Sequence, residues 1–324
     1  MGRLTTSDPH APGWSRRRQG RGFSYRDTDG TPLRDPAALA RIRALAVPPA
    51  WTEVWICPKP TGHLQAVGTD EAGRRQYLYH PDFRARREAA KHDHVLAFAR
   101  TLPALRARLA ADLELRGLRH DRVAACAVRL LDLGFFRIGS PAYREANGSH
   151  GLTTLLRAQS TVRGDRLHFS YTAKSGRHRE LTLTDTAAAR TVRALRRRAD
   201  RDPALWAYWE GRCWHPLTAP DLNGYLREHT GTDATAKDFR TWHATVLAAV
   251  GLAGSRSGPG RRAVARVVRE VADHLGNTPA VCRASYINPR LLELYDRGVT
   301  IADALPDPAP GPAAERAVLD LLGP

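Results

Sequence analysis

One tyrosine, two arginines and a lysine stand where the surrounding residues punctuate the chain. Val264, Val267, Val268, Val271 and Leu275 recur at helical spacing, so the segment from 261 predicts an amphipathic helix. Gly276 is the residue type that commonly follows a helix end, and Thr278-Pro279 is a natural N-cap and first helical residue for a second helix. Asn277 is therefore pinned in a tight turn between the two. On the second helix Ala280, Val281, Ala284 and Ile287 read as the apolar stripe, which puts Tyr286 on the polar side, with Pro289 just beyond. So placed, Tyr286 is either an edge residue or a presented hydroxyl. Arg137 follows Gly134-Phe-Phe at the end of a predicted helix and precedes Ile138-Gly139-Ser140. Arg240 opens a helix whose start, Thr235-Ala-Lys-Asp238, has capping-box spacing; Phe239, Trp242, Val246 and Val250 bury its other face and leave Arg240 to point elsewhere. Lys174 sits at a hairpin tip. Each cation alone is more often a surface residue, but together they form a cation set plus a hydroxyl. Guanidinium forks fit phosphate oxygens bidentately, and a lysine can give up a proton where an arginine effectively cannot.

The bulk composition fits an anionic target. The 324 residues, 42% hydrophobic and 26% charged, are enough for about two domains with a real core. Fifty Lys+Arg against 33 Asp+Glu leave a formal charge of +17, and a folded chain this basic usually works against a polyanion, most commonly nucleic acid. Only four lysines occur (Lys59, Lys91, Lys174, Lys237), so in a chain that writes nearly every cation as arginine each lysine is a candidate for proton transfer. No stretch approaches the roughly 20 apolar residues that span a bilayer, and the N-terminal segment lacks the apolar core of a secretory signal. Cys57, Cys126, Cys213 and Cys282 lie far apart with no C-x-x-C pair, which suits reduced thiols and a cytoplasmic protein. No P-loop, G-x-S-x-G or H-E-x-x-H is present. Asp27/Asp29 and Asp200/Asp202 have a spacing that could hold a cation, but Asp202-Pro203 reads better as a turn and helix cap, and His92/His94 lack a third ligand. The expected chemistry uses no metal and no nucleotide cofactor.

Along the chain, residues 1–24 read as a flexible, basic N-terminus, and 25–88 as a small β-rich domain with a helix at 35–46 and short strands near 53–58, 63–68 and 75–80. Residues 89–305 read as a larger, mainly helical domain, in which 159–173 and 179–184 form a hairpin or three-stranded sheet about Lys174, and helices resume from 185 to about 298. The segment 306–324 reads as a loosely packed Pro/Ala-rich tail. The expected class is α+β: a β-rich N-terminal lobe and a helical lobe with a small antiparallel sheet.

The strings 137–155 (RIGSPAYREANGSHGLTTL), 169–176 (FSYTAKSG), 237–243 (KDFRTWH) and 275–287 (LGNTPAVCRASYI), in this order, resemble the type IB DNA topoisomerases, most nearly their small bacterial, poxvirus-like branch. Residues 62–81 (GHLQAVGTDEAGRRQYLYHP) resemble that branch's DNA-clamping domain, and the resemblance covers about residues 25–300. It implies a catalytic fold shared with the tyrosine recombinases and a monomer that clamps duplex DNA in the nucleoid. Tyr286 would attack a phosphodiester to form a 3′-phosphotyrosyl bond. Arg137 and Arg240 would grip the non-bridging oxygens, and Lys174 would protonate the leaving 5′-oxygen. Asn277 departs from the poxvirus pattern, which has a histidine there. By the same resemblance Gln76, Tyr77, Tyr79 and Tyr143 would contact DNA, although Tyr77 and Tyr79 equally suit one buried strand face. Arg193, Arg196, Arg197, Arg198, Arg261 and Arg262 are further candidates for backbone contacts. The residue types agree with this chemistry, because a phosphorane-like transition state gathers charge on oxygens that guanidinium groups fit, and a sugar alkoxide needs a titratable donor to leave. Two rivals remain. A tyrosine recombinase typically carries H-x-x-R where this chain has Lys237-Asp-Phe-Arg240, and a noncatalytic nucleoid-binding protein would need the charge alone.

Overall fold

The computed structural model describes residues 3–255, 260–305 and 309–323, and divides into two compact units, 1–92 and 93–324. In the first, β1 (Trp14–Gln19), β2 (Gly22–Arg26), α1 (Pro36–Ala44), β3 (Thr52–Ile56), β4 (Leu64–Thr69) and β5 (Arg75–Tyr79) build an antiparallel sheet of order β2-β1-β3-β4-β5. Asp35 caps α1 and accepts from Ala37 and Ala38, with Pro36 at the first helical position. Ile42, Val54, Ile56 and Ala66 form the core, and Trp14 and Tyr25 pack against it. The N-terminal stretch expected to be flexible therefore contributes two strands. Its anchor is Arg16, whose guanidinium donates to the carbonyls of Val47 (3.0 Å), Pro48 (2.9 Å) and Trp51 (2.6 Å).

The division between the units falls inside the long helix α2 (Pro81–Leu113). In the second unit follow α3 (His120–Gly134), α4 (Pro141–Asn147), the sheet β6 (Ser160–Arg163), β7 (Arg166–Thr172) and β8 (His178–Thr184), then α5 (Thr186–Arg197). After these come β9 (Ala207–Glu210), β10 (Cys213–Pro216), α6 (Ala219–Thr230), α7 (Ala236–Ala253), α8 (Arg261–Leu275), α9 (Pro279–Ser285), α10 (Pro289–Asp296) and α11 (Pro312–Leu322). α3 is central: Val123, Ala127, Leu130 and Leu131 are buried, as their spacing predicted, and it packs against α5, α6 and α7. The sheet order β6-β7-β8 turns at Lys174–Gly176, where Ser175 and Gly176 have φ of 66° and 70°.

Two expectations for this unit are corrected. Residues 207–216, expected to be helical, form the hairpin β9–β10. Its turn residues Gly211 (φ 53°) and Arg212 (φ 67°) supply the left-handed pair that a two-residue hairpin needs. The C-terminal segment expected to pack loosely contains α11, which buries Ala314, Val318 and Leu322 and is tied down where Arg106 meets Glu315 at 2.6 Å. Among the described residues no helix is long and apolar enough to cross a membrane.

Candidate active site

α3 and α8 end alike. The last turn of any helix leaves carbonyls without intrahelical donors and carries the negative end of its dipole. Each of these two helices is followed by a left-handed residue, Phe135 (φ 54°) and Gly276 (φ 63°), which glycine adopts freely and phenylalanine rarely. The two ends lie together, bridged by arginines. Arg240 donates from Nη1 to the Phe135 carbonyl and from Nη2 to that of Leu275, at 2.9 Å. Arg137 donates from Nη2 to the Gly276 carbonyl at 3.2 Å and to Asn277 Oδ1. Arg240 thus points inward rather than away from the fold, and is 3% exposed. Burial, helped by the charge of Arg137 and opposed by Tyr286, pushes its guanidinium down to about 10, so it stays cationic at neutral pH.

These anchors leave donors unmatched. Arg240 Nε and Asn277 Nδ2 are buried without an acceptor among the described residues. Arg137 holds the oxygen end of the Asn277 amide, so the free end is the NH₂. Buried donors without acceptors are costly, and a bound anion would relieve both.

Tyr286 follows α9, and its backbone (φ −128°, ψ −29°) leaves the helical path. Thr245 on α7 holds this exit: its hydroxyl accepts from the Asn288 N–H (3.1 Å) and shares its proton between the carbonyls of Thr241 (3.0 Å) and Tyr286 (3.3 Å). Of the apolar stripe expected on α9 only Ile287, just past the helix end, is buried. Ala280 and Ala284 are exposed, Val281 is 47% exposed, and Cys282 is the residue this seven-residue helix buries. Tyr286 is consequently buried rather than on an outer polar face. Its ring lies 5.4 Å from the Arg240 guanidinium. Burial raises the phenol pKa, but the charge and polar contact of Arg240, with Arg137 and Lys237 behind it, outweigh that and leave it below the ordinary value.

One cavity of about 470 Å³ is walled by Tyr286, Arg137, Arg240 and Lys174 together. Lys174 reaches it from the β7–β8 turn, its Nζ 5.8 Å from the centre of the Tyr143 ring, and Tyr143 on α4 is 52% exposed at the cavity wall. Sequence reasoning singled out Lys237 only as one of four lysines and gave His150 no role, yet both line the cavity. The first is one of the four lysines and stands three residues before Arg240. The second lies beside Gly151, where the signal was a pair of glycines. A Cβ on Gly151 would sit 2.5 Å from Gly139 Cα and 2.7 Å from the Arg137 carbonyl, so only glycine permits the backbone approach that sets Arg137.

In the first unit, strand alternation separates the expected DNA-contacting residues. Tyr77 and Tyr79 stack (6.2 Å) on the face away from the core, with Tyr77 48% exposed; they are not a buried face. Gln76 lies on the Leu78 side, and its amide donates to Asp70 at 2.8 Å. Arg198 is no surface cation: it is buried, paired with Asp200 at 2.8 Å, and donates to the Leu205 carbonyl at 2.6 Å. Asp200 also pairs with Arg157, so it serves structure. Asp202 accepts from the Ala204 N–H at 2.9 Å in a turn that opens no helix.

Residues 22–70 match the bacterial DNA topoisomerase IB N-terminal domain, and residues 80–297 match the eukaryotic DNA topoisomerase I catalytic core. DNA topoisomerase 1B of Acanthamoeba polyphaga mimivirus is 27% identical over 293 residues, which cover 86% of each chain. The catalytic-core match spans well over half the chain and includes every residue of the cavity wall. On these grounds the chain belongs to the type IB DNA topoisomerase family.

Proposed function

We propose that this type IB topoisomerase relaxes supercoils of either sign with Tyr286 as nucleophile, acting as a monomer on duplex DNA of the nucleoid in the cytoplasm. The Tyr286 oxygen attacks phosphorus, the bond to the 5′-oxygen breaks, and a 3′-phosphotyrosyl ester holds the strand while the free end rotates. Arg137, Arg240 Nε and the Asn277 NH₂ receive the non-bridging oxygens, Lys174 delivers a proton to the departing 5′-oxygen, and religation reverses each step. A lowered phenol pKa favours the attacking form, and donors fixed before the charge develops need no reorganisation. Exchanging one ester for another conserves bond energy, so religation needs no ATP, and the guanidinium, amide and ammonium donors take the charge that a metal would otherwise neutralise. Tyr77, Tyr79, Tyr143 and the exposed arginines provide DNA contacts, with Gln76 held by Asp70 until DNA competes for its amide. The catalytic fold is the one tyrosine recombinases share, but the chain has lysine where their H-x-x-R has histidine.

The observation that carries this reading is the convergence of Tyr286, Arg137, Arg240 and Lys174 on one cavity. Its test is plasmid relaxation with EDTA present and ATP absent. Tyr286→Phe should abolish relaxation and the covalent adduct while DNA affinity persists; activity equal to wild type removes Tyr286 from the chemistry. Lys174→Ala should be rescued selectively by a 5′-bridging sulfur, a better leaving group, and equal defects on both substrates would discard the acid role.

A further inference from the structure

Arg240 and Arg137 are not alone in joining the ends of α3 and α8. Arg179, on β8, donates from Nη2 to the Gly134 carbonyl (3.3 Å) and to the His274 carbonyl (3.1 Å). The three arginines therefore form a ladder. Arg179 joins residue 134 to 274, Arg240 joins 135 to 275, and Arg137 reaches from its own position to 276 and 277. The Arg179 and Arg240 rungs each place a cation on carbonyls at the negative ends of both helices, and Arg137, which itself follows α3, places one at the α8 end. Only the upper two rungs line the cavity that holds Tyr286; Arg179 does not.

We infer that Arg179 is a positioning residue for the cleavage step, setting the two helix ends so that Arg137 and Asn277 present their donors at the correct separation. This rests on the reading of those two residues as transition-state donors. Without Arg179, the first pair of carbonyls would lose its shared donor, and mutual repulsion between two helix C-termini would be resisted by one bridging guanidinium, that of Arg240, instead of two. The Gly276 turn lies directly beneath, since a Cβ there would stand 3.2 Å from Arg179 Nη1. Loosening the rung would therefore move the turn that carries Asn277. A displacement near 1 Å at a reacting centre costs up to about 100-fold in rate.

The experiment measures single-turnover cleavage, DNA affinity and thermal unfolding of the full chain for Arg179→Met, Arg179→Lys, Asn277→Ala, Arg137→Ala and the Arg179→Met/Asn277→Ala double variant. Arg179→Met should slow cleavage on the order of 10- to 100-fold with DNA affinity changed less than about threefold. A lysine ammonium can still bridge two carbonyls, so Arg179→Lys should recover most of that loss, which a packing defect at the same melting temperature would not. Because Arg179 acts through Asn277 and Arg137, the double variant should be much less impaired than the product of its single defects. Multiplicative defects, or wild-type cleavage by Arg179→Met, overturn the inference while leaving the proposed chemistry standing. Wild-type cleavage by both Asn277→Ala and Arg137→Ala overturns the chemistry itself and the inference with it.

Discussion

Thr245→Val removes one hydroxyl from the junction that holds the nucleophile and changes almost no volume. Thr245 is 2% exposed, accepts from the Asn288 N–H at 3.1 Å and shares its hydroxyl proton between the Thr241 carbonyl at 3.0 Å and the Tyr286 carbonyl at 3.3 Å. Valine leaves the Asn288 N–H buried without a partner, which costs about 1–3 kcal/mol. For a domain of this size each kcal/mol shifts the melting temperature by about 2–4 °C, so a fall of about 4–8 °C is expected for a cost near 2 kcal/mol. The freed backbone at Tyr286 should also let the phenol drift, slowing single-turnover cleavage about tenfold or more. Thr245→Ser keeps the hydroxyl and loses one buried methyl, about 0.8 kcal/mol or slightly more, so it should melt a few degrees low yet cleave within about threefold of wild type. Calorimetry and a radiolabelled suicide substrate measure the two quantities. A valine variant that melts low but cleaves normally would show that the hydrogen bond serves the fold and not the nucleophile; one unchanged in both would refute the reasoning entirely.

The remaining predictions concern charge and close packing. Burial raises the Tyr286 phenol but the cations facing it lower it more, so cleavage of a 5′-bridging-sulfur substrate, which needs no acid, should rise with pH and level off below the usual phenol value of about 10. Lys237→Met should move that inflection upward, and a plateau above 10 in the wild type would contradict the assignment. Burial pushes Asp132 up, but Arg106 at 2.8 Å and His243 at 3.2 Å hold its carboxyl well below the usual range. A depressed carboxylate stabilises the fold above its unfolded pKa of about 4 and loses that contribution as pH falls below it. Asp132→Asn should therefore cost about 3 kcal/mol at pH 7, since Arg106 retains Glu315, with the gap to wild type narrowing in acid urea titrations. Gly151→Ala should cripple cleavage, because its Cβ would collide with Gly139 2.5 Å away; crystals or relaxation assays showing an unperturbed, active site would disprove that contact.

Much of the site is legible in the residues themselves. Gly276, Thr278 and Pro279 are local signals with local causes, and the turn at Asn277, the cap at Thr278 and the helix start at Pro279 stand where they predict. The same holds for the Thr235–Asp238 capping box, in which both the Thr235 N–H (2.8 Å) and hydroxyl (2.9 Å) donate to the Asp238 carboxylate. The β9–β10 hairpin has its own local signal, since Tyr208, Trp209, Gly211 and Trp214 carry alternation and a turn glycine, but the long helical stretches on either side mask it. The stripe on α9 misleads because a helix of seven residues has too few turns for periodicity to decide its buried face.

What the sequence determined alone was the inventory: a basic chain, a tyrosine after a capped turn, two arginines and a rare lysine at element ends, in an order that matches one family. Each of those follows from interactions within a few residues. The tertiary structure alone decided that Arg240 is buried on helix-end carbonyls, that the buried Asn277 NH₂ is left without an acceptor because Arg137 holds its oxygen, and that Tyr286 is buried among cations. These depend on α3 and α8 meeting end to end, a contact across 140 residues of chain that no local preference encodes.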